Sequence, residues 1–167
     1  MIQRIQSFFL VLAAVCVALL FMFPIATYVG QYATSSLNLI PQPSVEDELG
    51  NVTFIGQADY IHLWPLAVLA ALIGVIALVS IFLYKNRIIQ IRWVAFGFLL
   101  NVVYIFLVFF WATDSYFKHI GYLFGDAPHV TYSVGTWAPI ASALLFFLAQ
   151  RAIKKDEEKV RAADRLR

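Results

Sequence analysis

The chain has 167 residues, of which 62% are hydrophobic and only 13% charged, with a formal net charge of +2 and a mean hydropathy of +0.79. These values exclude an ordinary soluble domain, because so few polar residues are too few to cover a water-exposed surface. The single cysteine, Cys16, lies inside an apolar run, which excludes an intrachain disulfide and any metal site built from paired cysteines.

Four apolar runs follow one another along the chain, at about residues 7–29, 62–84, 91–112 and 133–150. As helices, runs of about 18 to 23 residues rise about 27 to 35 Å, enough to cross a hydrocarbon core. We predict an all-α transmembrane domain of four helices over residues 1–150, because a helix pairs its own backbone groups in lipid. The first run also resembles a signal peptide, but it is longer than the usual apolar signal region, so we expect a retained helix.

Charge is distributed unevenly between the segments that connect the runs. Of the 12 Lys and Arg residues, 10 lie before the first run, between the second and third, or after the fourth, and an eleventh, Arg92, lies at the extreme start of the third run on the same side; only Lys118 lies in the other two connections. Positively charged connections remain on the cytoplasmic side. We therefore predict a multi-pass protein with both termini in the cytoplasm and two periplasmic loops.

The last 17 residues, 151–167, form a charged tail with the sequence RAIKKDEEKVRAADRLR. Its residues favour a helix, and Glu157 precedes Arg161 by four positions, a stabilising spacing on a helix. We predict that the fourth helix continues into the cytoplasm as far as Lys159 or beyond. Two interpretations remain open: a solvated, self-paired helix, or a docking element that binds a partner through Glu157, Arg161 and Arg165.

Both ends of the chain carry a family resemblance. The opening MIQRIQ before an apolar helix, and the tail with RAI, KDE, VR and ADRLR in place, resemble a small four-helix inner-membrane family of Bacteroidota known as domain of unknown function 4293. The resemblance implies a bacterial inner-membrane protein of about this size. That family has no assigned activity, so the resemblance implies no functional residue.

The third run contains one polar face. Five residues repeat at four-three spacing along it: Gly97, Asn101, Tyr104, Val108 and Trp111. Asn101 is the only amide well inside a run, and its hydrogen-bonding groups need partners that lipid lacks. We predict an interhelical polar contact at Asn101, with Tyr104 nearby; the alternative is a transport pathway or ligand site.

The predicted outer loops offer one local structure and one candidate metal cluster. In the first loop, about residues 30–61, Gly50 and Asn51 precede a Val-Thr-Phe-Ile run, which predicts a short β-hairpin. The cluster comprises three histidines and an aspartate that belong to or border these loops: His62, His119, His129 and Asp59. Their spacing fits no known ligand pattern, so we predict neither a metal site nor a cofactor and keep the cluster as an alternative.

No motif specifies a chemistry, since the sequence lacks a Gly-rich phosphate loop, an HExxH motif and a nucleophile elbow. The pattern favours a non-enzymatic accessory or scaffold subunit of a larger membrane complex. A small oligomeric transporter or lipid-handling protein is the alternative, and a metal-dependent membrane enzyme comes third. The expected partners are the lipid bilayer and either another membrane protein or a second copy; acidic residues in the tail argue against nucleic acid.

Overall fold

The described residues form a four-helix bundle with a small antiparallel sheet at one end, so the fold is mostly helical rather than all-α as predicted. The structure, a computed structural model, describes residues 3–29, 33–40, 45–47, 52–53, 63–114 and 129–165. The described helices are α1 (Gln3–Met22), α2 (Trp64–Phe82), α3 (Arg87–Phe106) and α4 (Val134–Arg165). A 3₁₀ turn (Leu83–Lys85) follows α2, and a π-helical segment (Leu107–Ala112) continues α3. The described strands are β1 (Ala26–Val29), β2 (Ala33–Leu37), β3 (Val45–Asp47), β4 (Val52–Thr53) and β5 (His129–Tyr132).

All four helices are long and apolar enough to cross a membrane, as the sequence predicts. Only 28% to 39% of each apolar span is buried within the protein. The remaining positions present large apolar side chains outward, including Phe8, Val68, Phe106 and Leu144 at about 60% exposure. Such a surface is unstable in water and stable in lipid, so the fold is that of a membrane protein.

The first helix is shorter than predicted and the third begins earlier. The run predicted as helix over residues 7–29 is helical only to Met22, and residues 26–29 are a strand. Pro24 explains the end of α1, because proline disfavours helical geometry in the residue before it and has no N–H to donate. Helix α3 begins at Arg87 rather than at about residue 91, directly after the 3₁₀ turn. Helix α4 is continuous to Arg165, so tail residues 151–165 extend the fourth run.

The four helices pack in a closed ring: each helix contacts the next one along the chain, and α4 also contacts α1. Small residues line the interior where the helices approach one another, including Ala13, Ala70, Ala77 and Ala149, each fully buried. Close approach through small residues is how helices associate in lipid, which offers no hydrophobic driving force between them.

The sheet joins both interhelical loops, in the strand order β4-β3-β2-β1-β5, with every neighbouring pair antiparallel. Strands β3 and β4 pair on either side of Gly50 and Asn51, where the sequence predicts a hairpin. Strand β1 also pairs with β5, which lies about 100 residues further along the chain and directly precedes α4. The α1–α2 and α3–α4 connections therefore meet at the same end of the bundle.

Backbone hydrogen bonds fix the sheet to the bundle at the start of α4. The N–H groups of Ser133 and Gly135 donate to the carbonyls of Ile25 (3.0 Å) and Pro24 (3.1 Å), and the hydroxyl of Thr136 also donates to Ile25. These carbonyls take the place of a side-chain cap at the helix N-terminus. Gly135 is required here, because a Cβ would lie 2.9 Å from the carbonyl oxygen of Phe23.

Candidate functional site

The predicted polar face of the third run points into the bundle along most of its length. Asn101, Tyr104 and Val108 are at most 1% exposed. The pattern then changes, because Trp111 is 38% exposed while Ala112 is 2% exposed. The π-helical segment Leu107–Ala112 explains the change, since a wider turn adds one residue and moves the inward position from 111 to 112. The prediction that Trp111 shares this face is wrong for that reason.

The centre of this face is a polar contact between α3 and α4. The amide of Asn101 lies 2.7 Å from the hydroxyl of Ser142. One of its two orientations satisfies both ends of the amide: Oδ1 accepts from Ser142 Oγ and, at 3.3 Å, from the N–H of Ala143, while Nδ2 donates to the carbonyl of Pro139 at 3.2 Å. Asn101 thus binds the backbone of α4 and the Ser142 side chain together.

The contact lies one turn after the only proline inside the described part of α4. Pro139 has no N–H, so the carbonyl one turn before it loses its helical donor, and the ring crowds that carbonyl. The Pro139 carbonyl and the Ala143 N–H form the pair one turn further along the helix, and the Asn101 amide bridges both of them. Asn101 therefore reinforces α4 next to the position where its backbone ladder is weakest.

Close helix packing on the preceding turn of α3 holds Asn101 in place. A Cβ at Gly97 would lie 2.7 Å from Phe146 Cε1 on α4 and 2.9 Å from Ile76 Cγ2 on α2. Both neighbours are at most 2% exposed, so neither side chain has space to withdraw. Because Gly97 has no side chain, α2, α3 and α4 pack closely beside the contact between Asn101 and Ser142.

Tyr104 follows Asn101 on the same face and is fully buried. Its hydroxyl has no hydrogen-bond partner among the described residues. A buried hydroxyl without a partner is unusual, because desolvating it costs about 1–3 kcal/mol. The sequence predicts Tyr104 near the polar contact, and the structure places it there without linking its hydroxyl to Asn101.

A second group of polar contacts lies at the end of the bundle opposite the sheet. Gln6 donates to the carbonyl of Ala152 (3.4 Å) and Gln90 donates to the carbonyl of Ser80 (2.9 Å). Arg87 and Asp156 form an ion pair at 3.5 Å that lacks the alignment of a hydrogen bond. The first turns of the tail are therefore attached to both α1 and α3.

The sequence pattern does not single out this second group. A glutamine near the start of an apolar run looks like an ordinary boundary residue, and only its position on the inward face distinguishes it. For Gln6 that position follows from the residues three and four places further on, since Leu10 is buried in the core and the partly buried Phe9 packs against it.

The residues proposed for partner docking and metal binding are only partly described. Glu157 is half-buried on α4, while Arg161 and Arg165 lie in the same helix with side chains outside the described part. Of the candidate metal cluster, His129 is exposed at the start of β5, and His62, His119 and Asp59 lie outside the described residues. Within the described ranges, no three His, Cys, Asp or Glu side chains come together. The docking residues stay a prediction, and the His and Asp cluster stays an untested alternative.

Comparison with known proteins identifies the family of the chain but no reaction that it catalyses. None of the curated proteins matches it. A family model described as "Domain of unknown function (DUF4293)" matches residues 2–166, nearly the whole chain. The family assigned from MIQRIQ and the charged tail is thereby confirmed. The protein is a member of the DUF4293 family, with four helices able to span a membrane and no assigned activity.

Proposed function

We propose that the protein is a non-enzymatic accessory or scaffold subunit of a larger assembly in the bacterial cytoplasmic membrane. The observation that carries this proposal is the burial and the hydrogen bonding of Asn101. It is the most deeply placed amide of a spanning helix, it is 1% exposed, and its oxygen and nitrogen both bind α4. Its polarity therefore holds helices together rather than lining a water-filled route.

Two further features support a structural role. Apolar and small side chains pack the described interior. Helix α4 is attached to neighbouring segments at its start, through Pro24 and Ile25, and in the first turns of the tail, through Gln6 and Arg87. A rigid bundle of this kind offers a fixed outer surface to lipid and to other helices. The charge distribution supports an orientation with both termini in the cytoplasm, where 11 of the 12 basic residues then lie.

The test is native purification in mild detergent from the membranes that contain the protein. Wild type is compared with a truncation that lacks residues 158–167, which removes Arg161 and Arg165 but keeps the Arg87–Asp156 ion pair. We expect a defined partner in a fixed molar ratio with wild type and a reduced amount with the truncation. A wild-type protein that runs alone, as a monomer or only with copies of itself, contradicts the proposal.

A small transporter or lipid-handling protein is the second candidate, and Tyr104 favours it. Its unpartnered hydroxyl faces the interior beside a π-helical segment, and such segments occur frequently at functional sites. The two candidates differ in whether water reaches this position. Tyr104→Cys in a Cys16→Ala background should resist a membrane-impermeant thiol reagent if the protein is a scaffold; labelling from either side indicates a hydrated pathway.

A further inference from the structure

A cationic groove runs along the outer face of α4 where its apolar span gives way to the charged tail. The groove has a volume of about 490 Å³ and is lined by residues spaced three or four apart: Phe147, Gln150, Arg151, Lys154, Lys155 and Glu158. On a helix this spacing places all six on one face. The opposite face, with Phe146, Ala149 and Ile153, is buried in the bundle.

The groove changes character along its length. At the end nearest the apolar span, the ring of Phe147 is 49% exposed. It contacts Phe98 on α3, with ring centroids 6.3 Å apart. One turn further on, Gln150 and Arg151 introduce hydrogen-bond donors, and Lys154 and Lys155 follow on the next turn. The three basic groups, together with the acidic Glu158, give the end of the groove nearest the tail a formal charge of +2.

The position of the groove matches the membrane boundary. From Val134 to Gln150 helix α4 carries no charge, and these residues rise about 25 Å at 1.5 Å each. The groove's basic side chains therefore lie where lipid phosphates are found, while Phe147 lies at the depth of the acyl-chain segments next to the headgroups. The nearby polar contacts of Gln6 with Ala152 and of Arg87 with Asp156 hold this part of α4 in place.

We propose that this groove is a binding site for the phosphate headgroup of an anionic phospholipid. Arg151 presents a planar pair of donors to the phosphate oxygens, and Lys154 and Lys155 add compact positive charge. Gln150 donates to the glycerol or headgroup oxygens, and an acyl chain packs along the Phe98–Phe147 pair. The acidic Glu158 closes the far end of the groove and favours headgroups that also carry hydroxyl donors.

Native mass spectrometry of the full chain in detergent tests this site. The probes are phosphatidylglycerol and phosphatidylcholine with identical acyl chains, each titrated against wild type, the double variant Arg151→Gln/Lys154→Gln, and Arg151→Lys. Lys159→Gln is the matched control, since it removes one exposed tail charge outside the groove. All substituted side chains are exposed, so the bundle should keep its fold, which circular dichroism verifies.

We expect wild type and the Lys159 control to retain phosphatidylglycerol in preference to phosphatidylcholine. The double variant should need a roughly 25-fold higher concentration of phosphatidylglycerol, because each basic group near an anionic headgroup contributes a factor of roughly five. Arg151→Lys should give an intermediate value. Equal retention of both lipids, an unchanged double variant, or an equal loss in the Lys159 control overturns the proposal. Displacement of the lipid by millimolar inorganic phosphate also overturns it, because the site then recognises a free anion.

Discussion

Gly97 is the position where a single methyl group should reveal how tightly α2, α3 and α4 meet. In Gly97→Ala the new Cβ lies 2.7 Å from Phe146 Cε1 and 2.9 Å from Ile76 Cγ2, distances that real side chains essentially never adopt. Overpacking of a closed core costs about 1–3 kcal/mol. Alanine returns up to about 1 kcal/mol through its higher helix propensity. We therefore expect a net loss of about 1–2 kcal/mol in the free energy of unfolding.

Gly74→Ala on α2 is the matched control for this measurement. Its Cβ would lie 3.4 Å from the nearest atom, Val17 Cγ1, which is ordinary contact distance. The same chemical change should then leave stability within about 0.5 kcal/mol of wild type or increase it slightly. The assay is reversible unfolding by dodecyl sulfate in mixed micelles, followed by circular dichroism and tryptophan fluorescence.

A double-mutant cycle separates the clash from other effects of the substitution. Phe146→Leu removes the ring atoms that the new methyl group meets, so Gly97→Ala should cost less in that background, with a coupling of about 1 kcal/mol. Equal stability of the two alanine variants would refute the close three-helix contact. Additive effects in the cycle would refute the role of Phe146 in it.

Three further predictions concern other parts of the molecule. In a Cys16→Ala background, cysteines at Ser44 and Ala127 should label with an impermeant reagent from the periplasm and a cysteine at Asn86 should not; labelling of position 86 from outside would reverse the orientation. Asn101→Leu should lower stability by about 1 kcal/mol or less, as for polar contacts in bilayers, and a loss of several kcal/mol in the same unfolding assay would contradict this. Tyr28→Phe removes a buried 3.1 Å hydrogen bond to the carbonyl of Thr113 and should lower stability by about 1 kcal/mol, whereas an unchanged unfolding midpoint would indicate that this bond contributes nothing.

The helices were predictable because lipid imposes a simple requirement on sequence. A span needs about 20 apolar residues, and each run meets that requirement by its own composition, with Arg92 at the extreme start of the third run as the one charge within the four runs. The ends of the helices follow from local chemistry only in part. Pro24 is visible in the sequence, but the apolar residues after it, from Ile25 to Val29, read equally well as helix or strand. The pairing of β1 with β2 and β5 decides for strand, and no local pattern contains that pairing.

The polar contact at Asn101 shows the same division between local and distant information. An amide inside an apolar run predicts a partner on another helix, since lipid supplies none. The identity of that partner depends on the rotation and depth of α4 relative to α3. Ser142 is one of several small residues in its helix, and nothing within α4 distinguishes it. The π-helical turn at Leu107–Ala112 is also invisible in the run of apolar letters, and it alone moves Trp111 outward.

Helix α4 is the element on which the remaining contacts converge. At the sheet end the N–H groups of Ser133 and Gly135 bind the carbonyls of Ile25 and Pro24. At mid-span α4 contacts Asn101, and in the tail Arg87 pairs with Asp156. These contacts use the inner face of α4, because that face alone meets α1 and α3. The outer face is consequently left to its surroundings, apolar along the span and basic below it. One continuous helix thus separates two tasks: its inner face sets the bundle's geometry, and its outer face meets lipid and partners.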